Sequence, residues 1–191
     1  RPPLLDEPLN GRGELLEVRS VPRGRRVHTD VWREDEQGQR VISAVRTSLK
    51  PDLNVADKGG AGERPQPVIE DPTALRLLSE YTLTPERVKA YSMEGNSIHY
   101  EQEAAEHSGF RAPLIGGGMG VHNLTAEMWH SYKPRAFSAD IYFRRPIFWD
   151  ESVSVGVQEG SKSHWTAMAV LKQGKAVKVG TEIALRDLIP G

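Results

Sequence analysis

Two strand-rich blocks that repeat each other at a distance of 136 residues constrain the fold of this 191-residue chain most strongly. Residues 14–48 and 136–188 both carry apolar side chains at alternate positions, the pattern of antiparallel strands. Overlaid without gaps, the blocks match at Gly24 and Gly160, His28 and His164, Gln37-Gly38 and Gln173-Gly174, and Val41 and Val177. A duplicated strand meander is the simplest explanation for these matches.

The repeat divides the chain into two units joined by a linker. Residues 1–52 form the first unit, which we predict to consist mostly of three antiparallel strands. Residues 53–72 are rich in Gly, Pro and charged side chains, which is typical of a linker, and residues 73–191 form the second unit. Because the second copy is preceded by helices, we expect the equivalent segment of the first copy to lie upstream of Arg1.

The second unit should contain a strand, three helical segments and a strand meander. Residues 75–83 read as a strand, and Pro85 after Thr84 favours a short helix that ends near Ser92. Residues 101–108 predict a further helical turn or two. The last two strands of the 136–188 block should be joined by a tight "QGK" turn.

The stretch "GMGVHNLTAEMWHSY" predicts a central helix. Its apolar side chains recur at spacings close to those of a buried helix face, namely Met119, Leu124, Met128 and Trp129. His122 and His130 should lie on the solvent or interface side of this helix.

Composition excludes several classes of protein. Lys and Arg number 25 against 26 for Asp and Glu, so no excess of positive charge is available to bind nucleic acid. The absence of cysteine excludes a disulfide scaffold and a thiol nucleophile, and it fits a reducing compartment, most simply the cytoplasm. No apolar run is long enough to span a bilayer, so we expect a soluble protein with no membrane partner.

The segment "EGNSIH" places a carboxylate, an amide and an imidazole within six positions. Glu94 and His99 cannot share a face of an uninterrupted helix, but a turn at Gly95 and Asn96 would bring them together. An imidazole is suited to moving protons near neutral pH, and a nearby carboxylate can orient it or share a bound water with it. Asn96 would then position the pair by neutral hydrogen bonds.

The "GGGMG" run at the start of the central helix complements this cluster. Backbone N–H groups at the beginning of a helix, unobstructed by side chains, stabilise an oxygen that becomes negative during a reaction. A base, a second proton-transfer carboxyl and such an oxyanion hole suit the addition of water to a double bond conjugated with a carbonyl, or the reverse elimination.

The order of these motifs resembles the MaoC-like, or (R)-specific enoyl-CoA hydratase, family. The family pattern Asp-x-Asn-Pro-(Ile/Leu)-His is similar to "EGNSIH", the pattern Phe-x-x-Pro-(Ile/Val)-x-His-Gly-Met to "GFRAPLIGGGM", and a downstream Phe-x-x-Pro-(Val/Ile)-x-x-Gly-Asp to "FRRPIFWDE". The resemblance covers roughly residues 76–190.

Carried across by position, Glu94 takes the place of the catalytic Asp, while Asn96 and His99 match the catalytic Asn and His. Gly118 becomes the oxyanion donor, with Gly117 in reserve. The remaining expected substrate contacts are Pro113, Met119, Arg144 and Arg145. The chain departs from the family in Glu for Asp, in Ser97 for Pro, and in "GGG" for His-Gly.

The resemblance implies an α+β hot-dog fold, in which an antiparallel sheet wraps a central helix. It also implies a double hot dog whose truncated first unit is not catalytic. The expected activity is a hydro-lyase acting on a trans-2-enoyl or (R)-3-hydroxyacyl thioester of coenzyme A or acyl carrier protein, without metal or redox cofactor. Arg144 and Arg145 would contact coenzyme A phosphates or an acidic carrier, and hot-dog sheets pair edge to edge, so we expect a homodimer.

Other interpretations remain open at this stage. His99 could be a core histidine bonded to a backbone carbonyl. His99, Glu103 and His107 follow each other at helical spacing and could approach one metal, or could simply be solvated. "GGGMG" could reflect close packing of a helix on a sheet or, less simply, a dinucleotide-binding loop. Finally, Glu127 could serve a hot-dog thioesterase, or the chain could be a non-catalytic acyl-binding or dimerisation module.

Overall fold

The computed structural model describes residues 3, 6–52, 65–92, 95–161 and 164–191. The chain forms two compact units, Arg1–Gln66 and Pro67–Gly191. Of the predicted linker, residues 53–64 lie outside the described residues, whereas residues 67–72 belong to the second unit. None of the described helices is long and apolar enough to cross a membrane.

The first unit contains the three antiparallel strands that the sequence predicts. These are β1 (Asn10–Val21), β2 (Gly24–Glu34) and β3 (Arg40–Pro51), and they pair in the order β1-β2-β3. Residues 6–52 contain no helix. The strand meander has the same order as β6-β7-β8 of the second unit, as the internal repeat predicts.

The described part of the second unit is a five-stranded antiparallel sheet with helices α1, α2 and α3, whose bounds follow. The strands pair in the order β4-β6-β7-β8-β5 and comprise β4 (Arg76–Thr82), β5 (Ala136–Phe143), β6 (Ser152–Glu159), β7 (Trp165–Lys172) and β8 (Lys178–Ile189). Among the described residues, the helices are α1 (Pro85–Ser92), α2 (Gln102–His107) and α3 (Gly117–Ser131), and 3-10 turns span Pro72–Ala74 and Ser97–His99. This is the predicted α+β hot-dog arrangement, with α3 as its central helix.

The core lies between α3 and the sheet. Leu124 and Met128 of α3 are fully buried and belong to one apolar cluster with residues of β6, β7 and β8. Gly120 permits this close packing, because a Cβ atom at that position would lie 2.8 Å from Thr181 Oγ1 on β8. Packing of a helix on a sheet therefore accounts for one glycine of the "GGGMG" run.

Two details of the sequence prediction are wrong. Trp129 does not join the buried face of α3; it is 36% exposed and packs edge-on against Phe137. The connection between β7 and β8 is not a tight turn, because Lys172 pairs with Lys178 and residues 173–177 form the loop. The predicted exposure of His122 and His130 is confirmed.

A buried ion pair joins the β5–β6 connection to β8. Glu182, only 1% exposed, accepts a hydrogen bond of 2.5 Å from Arg144 Nε. The same carboxylate accepts from the backbone N–H groups of Val68 (3.0 Å) and Ile69 (3.1 Å), so it also holds the segment that enters the second unit. A buried charge requires such partners, because it has lost its hydration.

We predict that Glu182→Gln strongly destabilises the second unit. The change removes the carboxylate partner of the largely buried Arg144 guanidinium, and breaking a buried pair from one side costs about 3 kcal/mol or more. Urea unfolding followed by circular dichroism measures the loss. Asp140→Asn is the matched control, since Asp140 pairs with Arg186 at the exposed surface; equal losses for both variants would contradict the assigned role of Glu182.

Candidate active site

The motif "EGNSIH" begins after the end of α1 and turns sharply. Glu94 lies outside the described residues, so its side-chain position remains a prediction. Gly95 has φ +93°, a left-handed conformation that favours glycine, and this confirms the predicted turn. Asn96 is the N-cap of the 3-10 turn Ser97–His99 and places its amide and the imidazole on the same side of the chain.

Two hydrogen bonds fix the His99 ring. Nδ1 lies 2.8 Å from the backbone oxygen of Leu114, and because a carbonyl oxygen only accepts, Nδ1 carries the proton and donates. Nε2 is therefore the acceptor nitrogen of the neutral ring, and it accepts a hydrogen bond of 3.3 Å from Asn96 Nδ2. The imidazole is thus held in the tautomer that can accept a proton at Nε2.

The Leu114 carbonyl is itself held by a network of backbone bonds. Three N–H groups donate across neighbouring segments: Leu114 to Ile98 (3.4 Å), Ile115 to Ile147 (2.9 Å) and Trp149 to Pro113 (3.0 Å). Pro113, expected to contact substrate, is fully buried, and its carbonyl serves this network. The "FRAPLI" and "FRRPIFWDE" motifs are therefore hydrogen-bonded to each other, and together they fix the Leu114 carbonyl that positions the His99 ring.

Glycines 116–118 form the open beginning of α3. Gly116 is the N-cap and provides no side-chain acceptor, and the first-turn N–H groups of Gly117 and Gly118 have no acceptor within the helix. A Cβ on Gly116 would lie 3.6 Å from His99 Nε2. The basic nitrogen of His99 therefore faces the amino end of the helix, where partial positive charge favours an oxyanion.

Two aromatic side chains that the sequence analysis did not select flank this opening. A Cβ on Gly117 would lie 2.7 Å from the Phe143 ring, and one on Gly118 would lie 3.7 Å from the Tyr91 hydroxyl oxygen. Their sequence positions offered a hint, since Tyr91 lies three residues before Glu94 and Phe143 begins the "FRRP" motif.

Arg144 and Arg145, the two expected phosphate contacts, lie in different environments. Arg144 is engaged by Glu182 inside the fold, and its guanidinium also lies 4.7 Å from the centre of the Tyr142 ring. Arg145 is exposed, and its Nη1 donates to the Val179 carbonyl at 3.3 Å. Met119 is half-buried and packs against the core beside a cavity of about 270 Å³.

The alternative sites receive little support from the geometry. Glu127 accepts a hydrogen bond from the Tyr81 hydroxyl, and burial, followed by this bond, raises the pKa of Tyr81. Glu127 also lies nine residues after Gly118, roughly 13 Å along the helix axis from the expected oxyanion donor. Within the described residues, no three His, Asp or Glu side chains are grouped to hold a metal ion.

Solved structures with a similar fold include MaoC-like dehydratases. No protein-family model and no curated protein sequence matches the chain. HtdX from Mycobacterium tuberculosis superposes with a TM-score of 0.72 at 17% identity, covering 95% of this chain and 70% of HtdX. A MaoC-like dehydratase from Phytophthora capsici gives 0.65 at 20% identity, over 93% of this chain and 64% of the dehydratase.

A third match is the peroxisomal multifunctional enzyme type 2 from Drosophila melanogaster, with a TM-score of 0.65 at 20% identity, over 96% of this chain and 35% of the enzyme. At these identities the similarity shows a shared fold. The chain therefore has the hot-dog fold of MaoC-like dehydratases, and the resemblance drawn from its motifs is confirmed at the level of the fold.

We predict that the neutral His99 ring is protonated at Nδ1 and unprotonated at Nε2. Correlation NMR spectra of the imidazole nitrogens in protein labelled with ¹⁵N-histidine distinguish the two tautomers. Asn96→Ala should shift the Nε2 resonance while leaving Nδ1 protonated, because the Leu114 bond remains. A ring protonated at Nε2 in the wild type would contradict the geometry described above.

Proposed function

We propose that the chain is a hydro-lyase of the MaoC-like class, which adds water to a trans-2-enoyl thioester or dehydrates a (R)-3-hydroxyacyl thioester. The observation that carries the proposal is the direction of His99 Nε2, which faces the open amino end of α3. A proton acceptor and free backbone N–H groups at one point suit chemistry beside an acyl carbonyl. The fold shared with MaoC-like dehydratases supports this class.

In the proposed mechanism the thioester carbonyl oxygen accepts a hydrogen bond from the Gly118 N–H. This bond stabilises the negative charge that develops when the β-carbon is attacked. His99 Nε2 takes a proton from a water molecule, the water oxygen bonds to the β-carbon, and the Glu94 carboxyl gives its proton to the α-carbon. The proton on His99 then returns to the Glu94 carboxylate, and the reverse sequence eliminates water.

We predict that crotonyl-CoA is hydrated and that the activity depends on both members of the pair. His99→Ala and Glu94→Gln should each lower kcat/KM by about 100- to 10,000-fold, the usual contribution of general acid–base catalysis. Loss of the enoyl-thioester absorbance measures the reaction.

Matched controls are His107→Ala and Glu103→Gln, which change exposed side chains of α2. Both controls should retain wild-type rates. A wild-type protein that is inert towards short, branched and long enoyl thioesters would favour a non-catalytic acyl-binding module instead.

We infer that the thioester carrier contacts Arg145, whose exposed guanidinium can reach a phosphate. Arg145→Ala should raise KM for crotonyl-CoA roughly fivefold and leave kcat unchanged, because an exposed charge contributes only modestly. Crotonyl-pantetheine, which lacks the nucleotide phosphates, should show no effect of this change. Arg135→Ala, beyond the far end of α3, is the control variant, and an equal rise in KM there would contradict a specific contact.

We also infer a cytoplasmic homodimer. β5 is an edge strand of the five-stranded sheet, and its Ile141 and Phe143 are 41% and 62% exposed. Exposed apolar edge strands tend to pair with another chain. Light scattering of the intact protein should give twice the monomer mass, and a monomer at all concentrations would contradict the pairing.

A further inference from the structure

A cavity of about 270 Å³ lies beside the first turns of α3. Its walls come from β4 and the residues after it, from α1, and from α3: Tyr81, Thr82, Leu83, Arg87, Tyr91, Met119, His122 and Asn123. Tyr91 connects this cavity with the proposed oxyanion position, because its side chain lines the cavity and its hydroxyl lies near Gly118. An acyl chain whose carbonyl is bound at Gly118 has this space next to it.

Asn123 is one of the lining residues, and its side-chain amide is buried. The residue is only 7% exposed, and its Nδ2 has no hydrogen-bond partner among the described residues. Met119, His122 and Asn123 follow at helical spacing, so they share the face of α3 that lines the cavity. The terminal torsion of an Asn side chain is soft, so the amide can turn Nδ2 towards a ligand in the cavity. A buried amide without a partner gains free energy when a ligand supplies an acceptor.

The charge of the cavity wall also favours a ligand that carries a hydrogen-bond acceptor. The eight lining residues include Arg87 and contain no Asp or Glu. Arg87 Nη1 donates to the Thr82 carbonyl at 3.0 Å. The wall therefore carries the Arg87 cation and no carboxylate, a balance that favours an electronegative ligand group over a cationic one.

The distance along α3 indicates where the acceptor belongs. Asn123 follows Gly118 by five residues, which corresponds to about 7.5 Å of helix, and helical side chains lean back towards the amino end. An acyl chain that starts at the Gly118 N–H and runs along the cavity would be level with the Asn123 side chain at about its fifth carbon.

We propose that this pocket selects acyl groups that carry an oxygen acceptor near the fifth carbon, with Asn123 as the donor. The inference rests on the proposed function, since it takes the thioester carbonyl to be bound at Gly118. The acceptor belongs either to a neutral carbonyl or to a carboxylate, and Arg87 distinguishes the two.

Three saturated thioesters of similar length test the proposal without turnover. Hexanoyl-CoA has no acceptor on its chain, 5-oxohexanoyl-CoA has a neutral carbonyl at the fifth carbon, and glutaryl-CoA has a carboxylate there. Isothermal titration calorimetry of the intact protein should give about tenfold tighter binding for at least one oxygenated ligand than for hexanoyl-CoA. Contacts to the coenzyme A portion are common to all three ligands and cancel in the comparison.

Substitutions at Asn123 and Arg87 test whether these two residues cause the preference for oxygenated ligands. Asn123→Leu should abolish the preference over hexanoyl-CoA, and Asn123→Asp, which removes the donor at constant size, should weaken glutaryl-CoA binding most. Arg87→Gln should weaken glutaryl-CoA alone if the natural group is a carboxylate, and neither oxygenated ligand if it is a neutral carbonyl. The comparison of the three ligands on the wild-type protein needs no variant, so it tests the proposal even if a substituted protein fails to fold.

The outcomes separate this inference from the proposed function. Equal or tighter binding of hexanoyl-CoA, a preference that survives Asn123→Leu, or no binding of any of the three ligands overturns the selectivity. A protein that hydrates crotonyl-CoA yet shows one of these results loses only this inference. A protein that prefers an oxygenated ligand but hydrates no enoyl thioester loses only the proposed reaction.

Discussion

The hydrogen bond from His99 Nδ1 to the Leu114 carbonyl is the contact on which the proposed chemistry depends. It decides which ring nitrogen carries the proton and leaves Nε2 as the nitrogen that can accept one. The carbonyl can do this because its loop is bonded on one side to the 3-10 turn that carries His99 and on the other to residues 147–149. The motifs "EGNSIH", "FRAPLI" and "FRRPIFWDE", which are separate in the sequence, are thus joined by hydrogen bonds in the structure.

Helix α3 contributes both to the proposed oxyanion site and to the neighbouring cavity. Its glycine-rich beginning leaves backbone N–H groups uncovered beside His99, and its next two turns present Met119, His122 and Asn123 to the neighbouring cavity. The helix can come so close to β8 because Gly120 has no side chain facing Thr181. Packing, the proposed oxyanion stabilisation and the proposed acyl selectivity therefore all depend on the composition of the same short segment.

The sequence predicts the fold well because its signals are local. Alternating apolar residues give the strands of both units, and Pro85 after Thr84 gives the start of α1. The turn at Gly95 follows from the conformational freedom of glycine, which the φ of +93° requires. Trp129 lies outside the buried face of α3, because helical spacing alone does not define how wide that face is.

The side-chain partners are less predictable because they come from distant positions. Arg144 reads as a surface cation until Glu182, 38 residues later, is seen to engage it. A glutamate inside the apolar run "VGTEIAL" was a usable hint, since such a residue in a buried strand needs a partner. Asn123 carries no comparable signal, because an Asn in a helix is usually solvated, and only the cavity reveals its unsatisfied amide.

A crystal structure of the protein with (R)-3-hydroxybutyryl-CoA tests the central claim most directly. We expect the thioester oxygen at about 3 Å from the Gly118 nitrogen and the 3-hydroxyl between the Glu94 carboxyl and His99 Nε2. A thioester bound away from the start of α3, or Glu94 and His99 directed to opposite sides of the acyl group, would contradict the hydro-lyase assignment.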